Sequence, residues 1–362
     1  MKLTKTQLMS VSLAGLLLSA NTLKAGLNHS QPRADSHAPI SIMGDHTHKK
    51  SEWMLSYRYM YMDMDGMRQG NNRINSASVF GQGYTVTPEW MTMEMHMLGA
   101  MYAPNEQLTL MLMTHFTTLE MRHRIFPGAP MMLTNVVGGD RFTTRSSGLG
   151  DTKLGALYTL YETDKQKLLS GLSLSLPTGS ITERDRTPRP AMPPTFNSEQ
   201  LPASMQLGSG TYDLIPSLTY VRKHELITLG LQSTATIRLE SENDQGYRKG
   251  HRFEANAWIS YLIDTALSLN TGLRYHNEGQ LKGVQQGIGQ TGPNGRSVTT
   301  AFNENYGGER IDLSFGANYI FERGVAQGHR LAFEVQLPIW QKLNGIQLET
   351  DSIITVGWQK AF

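Results

Sequence analysis

Strict alternation of apolar and polar side chains, kept up over long runs, is the feature that most constrains this chain. In "EWMLSYRYMYM", Trp53, Leu55, Tyr57, Tyr59 and Tyr61 share one face, with Ser56 and Arg58 on the other. In "ITLGLQSTATIRLE", Ile227, Leu229, Leu231, Ala235, Ile237 and Leu239 oppose Thr228, Gln232, Thr234, Thr236, Arg238 and Glu240. In "RIDLSFGANYIF", Ile311, Leu313, Phe315, Tyr319 and Phe321 oppose Arg310, Asp312, Ser314 and Asn318. A period of two is the signature of a β-strand, whose successive side chains point to opposite faces. Each of these strands has one apolar face and one face that stays polar or charged at its middle.

Such strands build either a soluble two-sheet protein or a closed membrane barrel, and three features favour the barrel. The runs are about 12 residues or more, whereas soluble strands usually have about 5–6 and a tilted membrane strand about 9–11 in the hydrocarbon. Charges at mid-strand suit a wet lumen. The connections also alternate between short turns and long polar loops, the outer-membrane pattern. The short ones fall near 104–107, 162–166, 223–224, 264 and 323–327; the long ones near 66–87, 124–148, 181–206, 241–249 and 278–308. The pattern predicts an all-β fold, a single antiparallel barrel of about 12 strands over residues 52–362, with both termini periplasmic. The last hairpin turns on Asn344-Gly345, a strong two-residue turn signal. The chain ends on Phe362, a terminal aromatic that resembles the signal read by the outer-membrane assembly machinery.

The N-terminus fits export to the bacterial outer membrane. Lys2 and Lys5 precede the apolar run Met9–Ala20, too short to span a bilayer, so residues 1–25 read as a signal peptide with cleavage after Ala20 or Ala25. Residues 26–51 lack the period of two and read as a flexible periplasmic segment carrying His29, His37, His46 and His48. Mean hydropathy is −0.35 and the formal charge +2, so neither a helical membrane protein nor a nucleic-acid partner is indicated. With no cysteine, there are no disulfides, no thiolate metal sites and no lipoprotein anchor.

Three short motifs carry a family resemblance. "SGLGDTKLGALYTLYE" (147–162), "LSLSLPTGS" (172–180) and "LGSGTYDLIPSLTY" (207–220) resemble outer-membrane proteins grouped as components of the meta-pathway of phenol degradation and described as transporters. The resemblance implies an outer-membrane barrel that passes small, often apolar molecules. The methionine-rich first third lies outside that family's generic pattern.

Candidate chemistry lies in the expected lumen. Of 20 methionines, 14 fall between Met43 and Met121. If Arg58 faces the lumen, parity sends Met54, Met60, Met62 and Met64 with it. If Glu94 and His96 are luminal, Met91, Met93, Met95, Met97 and Met101 face lipid. Pairing across the 104–107 turn then sets His96 opposite His115, near Met60, Met111 and Met113. Thioether and imidazole suit Cu(I), so this cluster, with His46 and His48 just before the barrel, is a candidate copper site. The plainer reading is that barrel histidines hydrogen-bond to carboxylates and water, and that methionine is an apolar filler.

A second luminal set joins Arg58 and Glu94: Arg238, Arg252, Glu254, Arg274, Arg310, Asp312, Arg330 and Glu334. Mixed charges of this kind fill a small lumen by pairing, and they can also set selectivity for a polar solute. No nucleophile elbow, phosphate loop or dinucleotide fingerprint is present, so no enzyme and no required cofactor is expected. The sequence points to an outer-membrane barrel, in contact with lipid, that passes or binds a small solute. Its alternatives are a copper-handling barrel and a closed structural one.

Overall fold

The computed structural model describes residues 33–189 and 195–362, so the expected signal peptide and residues 26–32 lie outside the described residues. The strands are β1 (Trp53–Gly70), β2 (Tyr84–Tyr102), β3 (Leu108–Ile125), β4 (Arg141–Leu149), β5 (Thr152–Glu162) and β6 (Gln166–Leu176). They continue with β7 (Asp213–His224), β8 (Ile227–Arg238), β9 (Arg252–Leu262), β10 (Leu267–Glu278), β11 (Gly308–Ile320) and β12 (His329–Ala361). All except β4 form one antiparallel ring, β1 closing it by pairing with both β2 and β12. The 33-residue β12 turns at Gly345 (φ +53°). Its first arm pairs with β11 and its second with β1, so the ring has twelve staves. β4 pairs with the outer half of β3 above β5, continuing that stave. Among the described residues, no helix is long and apolar enough to cross a membrane.

The ring's two surfaces differ as the alternation requires. Leu55, Leu110, Leu112, Leu231, Leu273, Phe315, Phe333 and Val356 are exposed on the outside. Ser56, Arg58, Gln232, Asp312, Asn318 and Glu334, from alternate positions, are buried inside. An apolar exterior on a closed sheet with no free edge is what a bilayer demands, because unpaired backbone groups cannot face hydrocarbon. The protein is an outer-membrane β-barrel.

One expectation about facing is corrected. The β2–β3 pairing sets Met97 opposite His115 and His96 opposite Phe116, one residue from the expected register. A slip of one residue turns every side chain to the other face. Glu94 and His96 therefore lie outside, and Met91, Met93, Met95, Met97 and Met101 lie inside. The premise that a charge must face the lumen fails here because the outer face has its own polar partners. His96 Nδ1 is 2.8 Å from the Tyr57 hydroxyl and its ring packs on Tyr59. Glu94 stands opposite Tyr61.

The lumen is filled from both ends. Residues 33–51, expected as flexible, are instead an ordered plug that enters and leaves at the short-turn end. The Ala34 amide donates to the Thr265 carbonyl (3.0 Å) and the Ser51 amide to that of Ala103 (2.7 Å). Between them the segment bonds to walls around the ring. Thr228 donates to Asp35 (2.7 Å), Asn318 to the His37 carbonyl (3.3 Å), and Gln232 to that of Met43 (2.9 Å). The Ser41 amide donates to Glu334 (2.9 Å) and that of His48 to the Thr109 hydroxyl (3.0 Å). From the other end, Leu201, Met205 and Leu207 of the β6–β7 connection pack on Met91, Leu119 and Met121.

The three motifs behind the resemblance meet at one structural knot. Asp151 accepts from the Gly179 amide (3.0 Å) and from the amide and hydroxyl of Ser209 (2.8 and 2.9 Å). Thr178 donates to the Gly150 carbonyl (3.0 Å). Gly179 and Gly208 approach so closely that a Cβ on Gly179 would lie 2.8 Å from the Gly208 Cα. These motifs clamp the starts and ends of β5, β6 and β7; their role here is architectural.

The facing assignment is testable. Val356→Arg and Leu110→Arg should each block assembly, since Arg facing lipid costs about 2–4 kcal/mol near midplane. Met95→Arg, facing the lumen, should assemble. Heat-modifiable gel migration reads the outcome; equal loss in all three would mean the faces are wrongly assigned.

Candidate functional site

β1, β2 and β3 carry the methionines, and the register sets them in rows across the inner face. From the short-turn end the rows are Met54–Met101–Met111, Ser56–Gly99–Met113, Arg58–Met97–His115, Met60–Met95–Thr117, Met62–Met93–Leu119 and Met64–Met91–Met121. Twelve of the 20 methionines thus form one continuous wall, with at least one thioether in every row. Directly paired residues on adjacent strands have Cα atoms about 4.5–5.5 Å apart, so neighbouring thioethers can touch. The uppermost row is sealed by Leu201 and Met205, while Met60, Met62, Met95, Met97 and Met113 are only half-buried. His115 keeps its luminal place but abuts Gly150, where the absence of a side chain makes room for its ring. His96 and His115 are on opposite faces, so the expected imidazole pair does not form.

A different histidine cluster does form, in the plug. His37, Asp45 and His46 have ligand atoms within 4.8 Å of one another. The His46 ring lies 4.7 Å from that of His37 and 4.9 Å from that of His48, centroid to centroid. His46 Nδ1 is 2.9 Å from Asp45, and His48 Nδ1 is 3.3 Å from Glu52. Burial, then the nearby Arg330 charge, lowers the His37 pKa well below its ordinary value. Burial, then His46, pushes that of His48 down to about 4. Burial alone would raise the Asp45 pKa, but the charge of His46 and its hydrogen bond outweigh it and hold the carboxyl ionised. Sequence reading names His46 and His48 but not their closeness to His37, because separations of nine and eleven residues resemble no compact ligand motif.

The charge ladder is largely committed to internal bonds. Arg238 pairs with Asp213, Arg252 with Glu278 (3.0 Å), Arg310 with Asp312 (2.9 Å) and Glu254 with His276 (3.3 Å). Arg274 donates to Asn256 (2.7 Å) and to the plug at Ser41 (2.8 Å). Arg330 donates to the Ala38 carbonyl (2.7 Å), Asn318 (2.6 Å) and Gln359. Arg58 is buried in the third methionine row. Glu94 is the one member that stands outside the lumen. Three of the partners, Asp213, Glu278 and His276, are invisible to sequence reading because only the ring order sets them beside Arg238, Arg252 and Glu254.

No protein-family model matches the chain, and no curated protein matches it in sequence. Among solved structures it is similar to the COG4313 outer membrane channel from Pseudomonas putida F1, at 17% identity over 88% of this chain and 98% of that one, with a TM-score of 0.56. It also aligns with a mutant of the TodX monoaromatic hydrocarbon channel (10% identity, 92% and 93% covered, TM-score 0.46). A third match is the β domain of the Bordetella autotransporter BrkA (10%, 86% and 100%, 0.45). At 17% identity the likeness to the first of these is one of fold, a closed outer-membrane β-barrel.

Ile40 holds the plug by close approach to the wall: a Cβ on Gly357 would lie 2.6 Å from its side chain. Gly357→Phe should therefore expel the plug while the barrel still forms. Limited proteolysis within residues 33–51 should become at least about tenfold faster, as expected for a segment whose local opening free energy falls by about 1.4 kcal/mol or more. Unchanged protection would show that Ile40 is not an anchor.

Proposed function

We propose that this barrel passes, or holds in transit, a small solute along its methionine wall. The observation that carries this is the continuity of thioethers through all six rows on one side of the lumen. A thioether is apolar, polarizable and flexible, and makes favourable contacts with aromatic rings. It offers no charge, and apart from Arg58, which stands in the third row, the charges of the luminal ladder are committed to internal bonds. The wall therefore suits an uncharged, apolar or aromatic solute better than an ion of high hydration energy. The plug fills the short-turn end, so passage requires it to shift, which its many individually modest hydrogen bonds permit. The exposed Phe362, whose amide pairs with the Trp53 carbonyl, would serve as the signal for assembly.

A second reading rests on the rows where three strands each contribute a thioether, Met54–Met101–Met111 and Met64–Met91–Met121. Three soft donors in one row suit monovalent copper. Replacing Met60, Met62, Met95 and Met97 by serine separates these ideas. Uptake of a neutral aromatic probe into liposomes should fall severalfold if the wall is the path, and unaltered uptake would sink that reading. Binding of Ag(I), a redox-inert stand-in for Cu(I), should fall in Met54→Ser/Met111→Ser if the three-thioether rows hold the ion. Undiminished binding there and in Met64→Ser/Met121→Ser removes the copper reading. Deleting residues 33–51 should raise single-channel conductance, and an equally closed barrel without them would mean that the plug is not the gate.

A further inference from the structure

We propose that His37, Asp45 and His46, whose ligand atoms lie within 4.8 Å of one another, form with the adjacent His48 a binding site for a divalent transition-metal ion inside the plug. The inference goes beyond the solute reading, because it concerns imidazole nitrogens of the plug and not the methionine wall.

His46 and His48 each turn Nδ1 to a carboxylate, at 2.9 Å from Asp45 and 3.3 Å from Glu52. A carboxylate on one nitrogen fixes the tautomer and leaves the other nitrogen as a lone-pair donor, the arrangement that metal-binding histidines share. That other nitrogen, Nε2, is buried and without a hydrogen-bond partner in both residues, and so is Nδ1 of His37. An orphaned buried nitrogen is costly, and three side by side in one cluster call for a common partner.

The ligand atoms of His37, Asp45 and His46 lie within 4.8 Å of one another, within reach of a single ion, and His48 packs next to His46. A metal–nitrogen bond of about 2.0–2.1 Å with tetrahedral angles puts neighbouring imidazole centroids about 5 Å apart. The observed separations are 4.7 and 4.9 Å, with interplanar angles of 85° and 68°, so the rings meet edge to face and are not stacked. The nearby cations are accounted for: Arg330 is engaged by Ala38, Asn318 and Gln359, and Asp45 and Glu334 offset Arg58. Imidazole nitrogens backed by carboxylates suit Zn(II) and its borderline neighbours better than Cu(I), which favours thioether sulfur. His37 and His46 stand on opposite sides of the excursion that Ile40 and Ile42 make into the lumen. An ion between them would staple the plug in its inserted form.

The test uses full-length protein in detergent, purified without a polyhistidine tag. Calorimetric titration with Zn(II) should show one saturable equivalent, and Co(II) in its place should give the intense visible absorption of a tetrahedral site. His37→Ala/His46→Ala should abolish both signals, while Asp45→Asn should weaken binding by about 10–100-fold. His96→Ala, on the outer face, should change neither. Heat-modifiable migration of every variant verifies that the barrel is intact. Absence of saturable binding, or binding retained in the double variant, would overturn the site. Neither result depends on whether a solute crosses the barrel, so the solute reading stands or falls separately.

Discussion

Closure is the constraint on which the rest of this structure depends. A sheet in hydrocarbon has to pair every backbone group within itself. Here the last pairs are made by the two ends of the ring: the Trp53 and Phe362 backbones exchange hydrogen bonds of 2.9 Å. Once the seam is shut, the alternation of each strand becomes a division between lipid and lumen. Facing is then a property of the ring as a whole, since a slip in one hairpin reverses an entire strand.

A ring of twelve staves encloses more space than its own side chains fill. The inner face is polar, so its arginines and carboxylates need partners away from water. Part of this need is met by pairs across neighbouring strands, as in Arg252–Glu278. The rest is met by the N-terminal plug, whose backbone groups bond to Arg330, Glu334, Asn318 and Gln232. Lumen and plug thus complete each other: the wall offers side chains and the plug offers peptide groups. The methionine wall is the contrasting sector, with little to hydrogen-bond, and the plug makes few polar contacts there. This division leaves one side of the lumen adaptable and the other pinned.

The predicted and observed facing of β2 shows how parity reasoning works and where it stops. Placing Glu94 and His96 inside follows from the cost of a charge in lipid. The tyrosines at 57, 59 and 61 supply the missing information: their hydroxyls, on the outer face of the adjacent strand, lie within reach of both groups. That contact depends on the β1–β2 register, Tyr59 with His96 and Tyr61 with Glu94, which no local pattern encodes. The same register makes the methionines of β1, β2 and β3 into one surface, where parity from single strands divides them between lipid and lumen.

The strands, their number, the apolar outside and the long-loop, short-turn rhythm are all legible in the order of the residues. These depend only on the period of side chains along one strand and on turn residues, both local. The residue order also marked many of the arginines and carboxylates of the inner face, but it missed Asp213 and Glu278 and placed Glu94 there in error. Only the tertiary structure decided which residues meet. It paired Met97 with His115, tied Asp151 to Gly179 and Ser209, and folded the unpatterned residues 33–51 into the lumen. It gathered His37, Asp45, His46 and His48 into one cluster. Each of these meetings joins parts of the chain whose relation is set by ring order and strand register, and a one-dimensional pattern has no term for either.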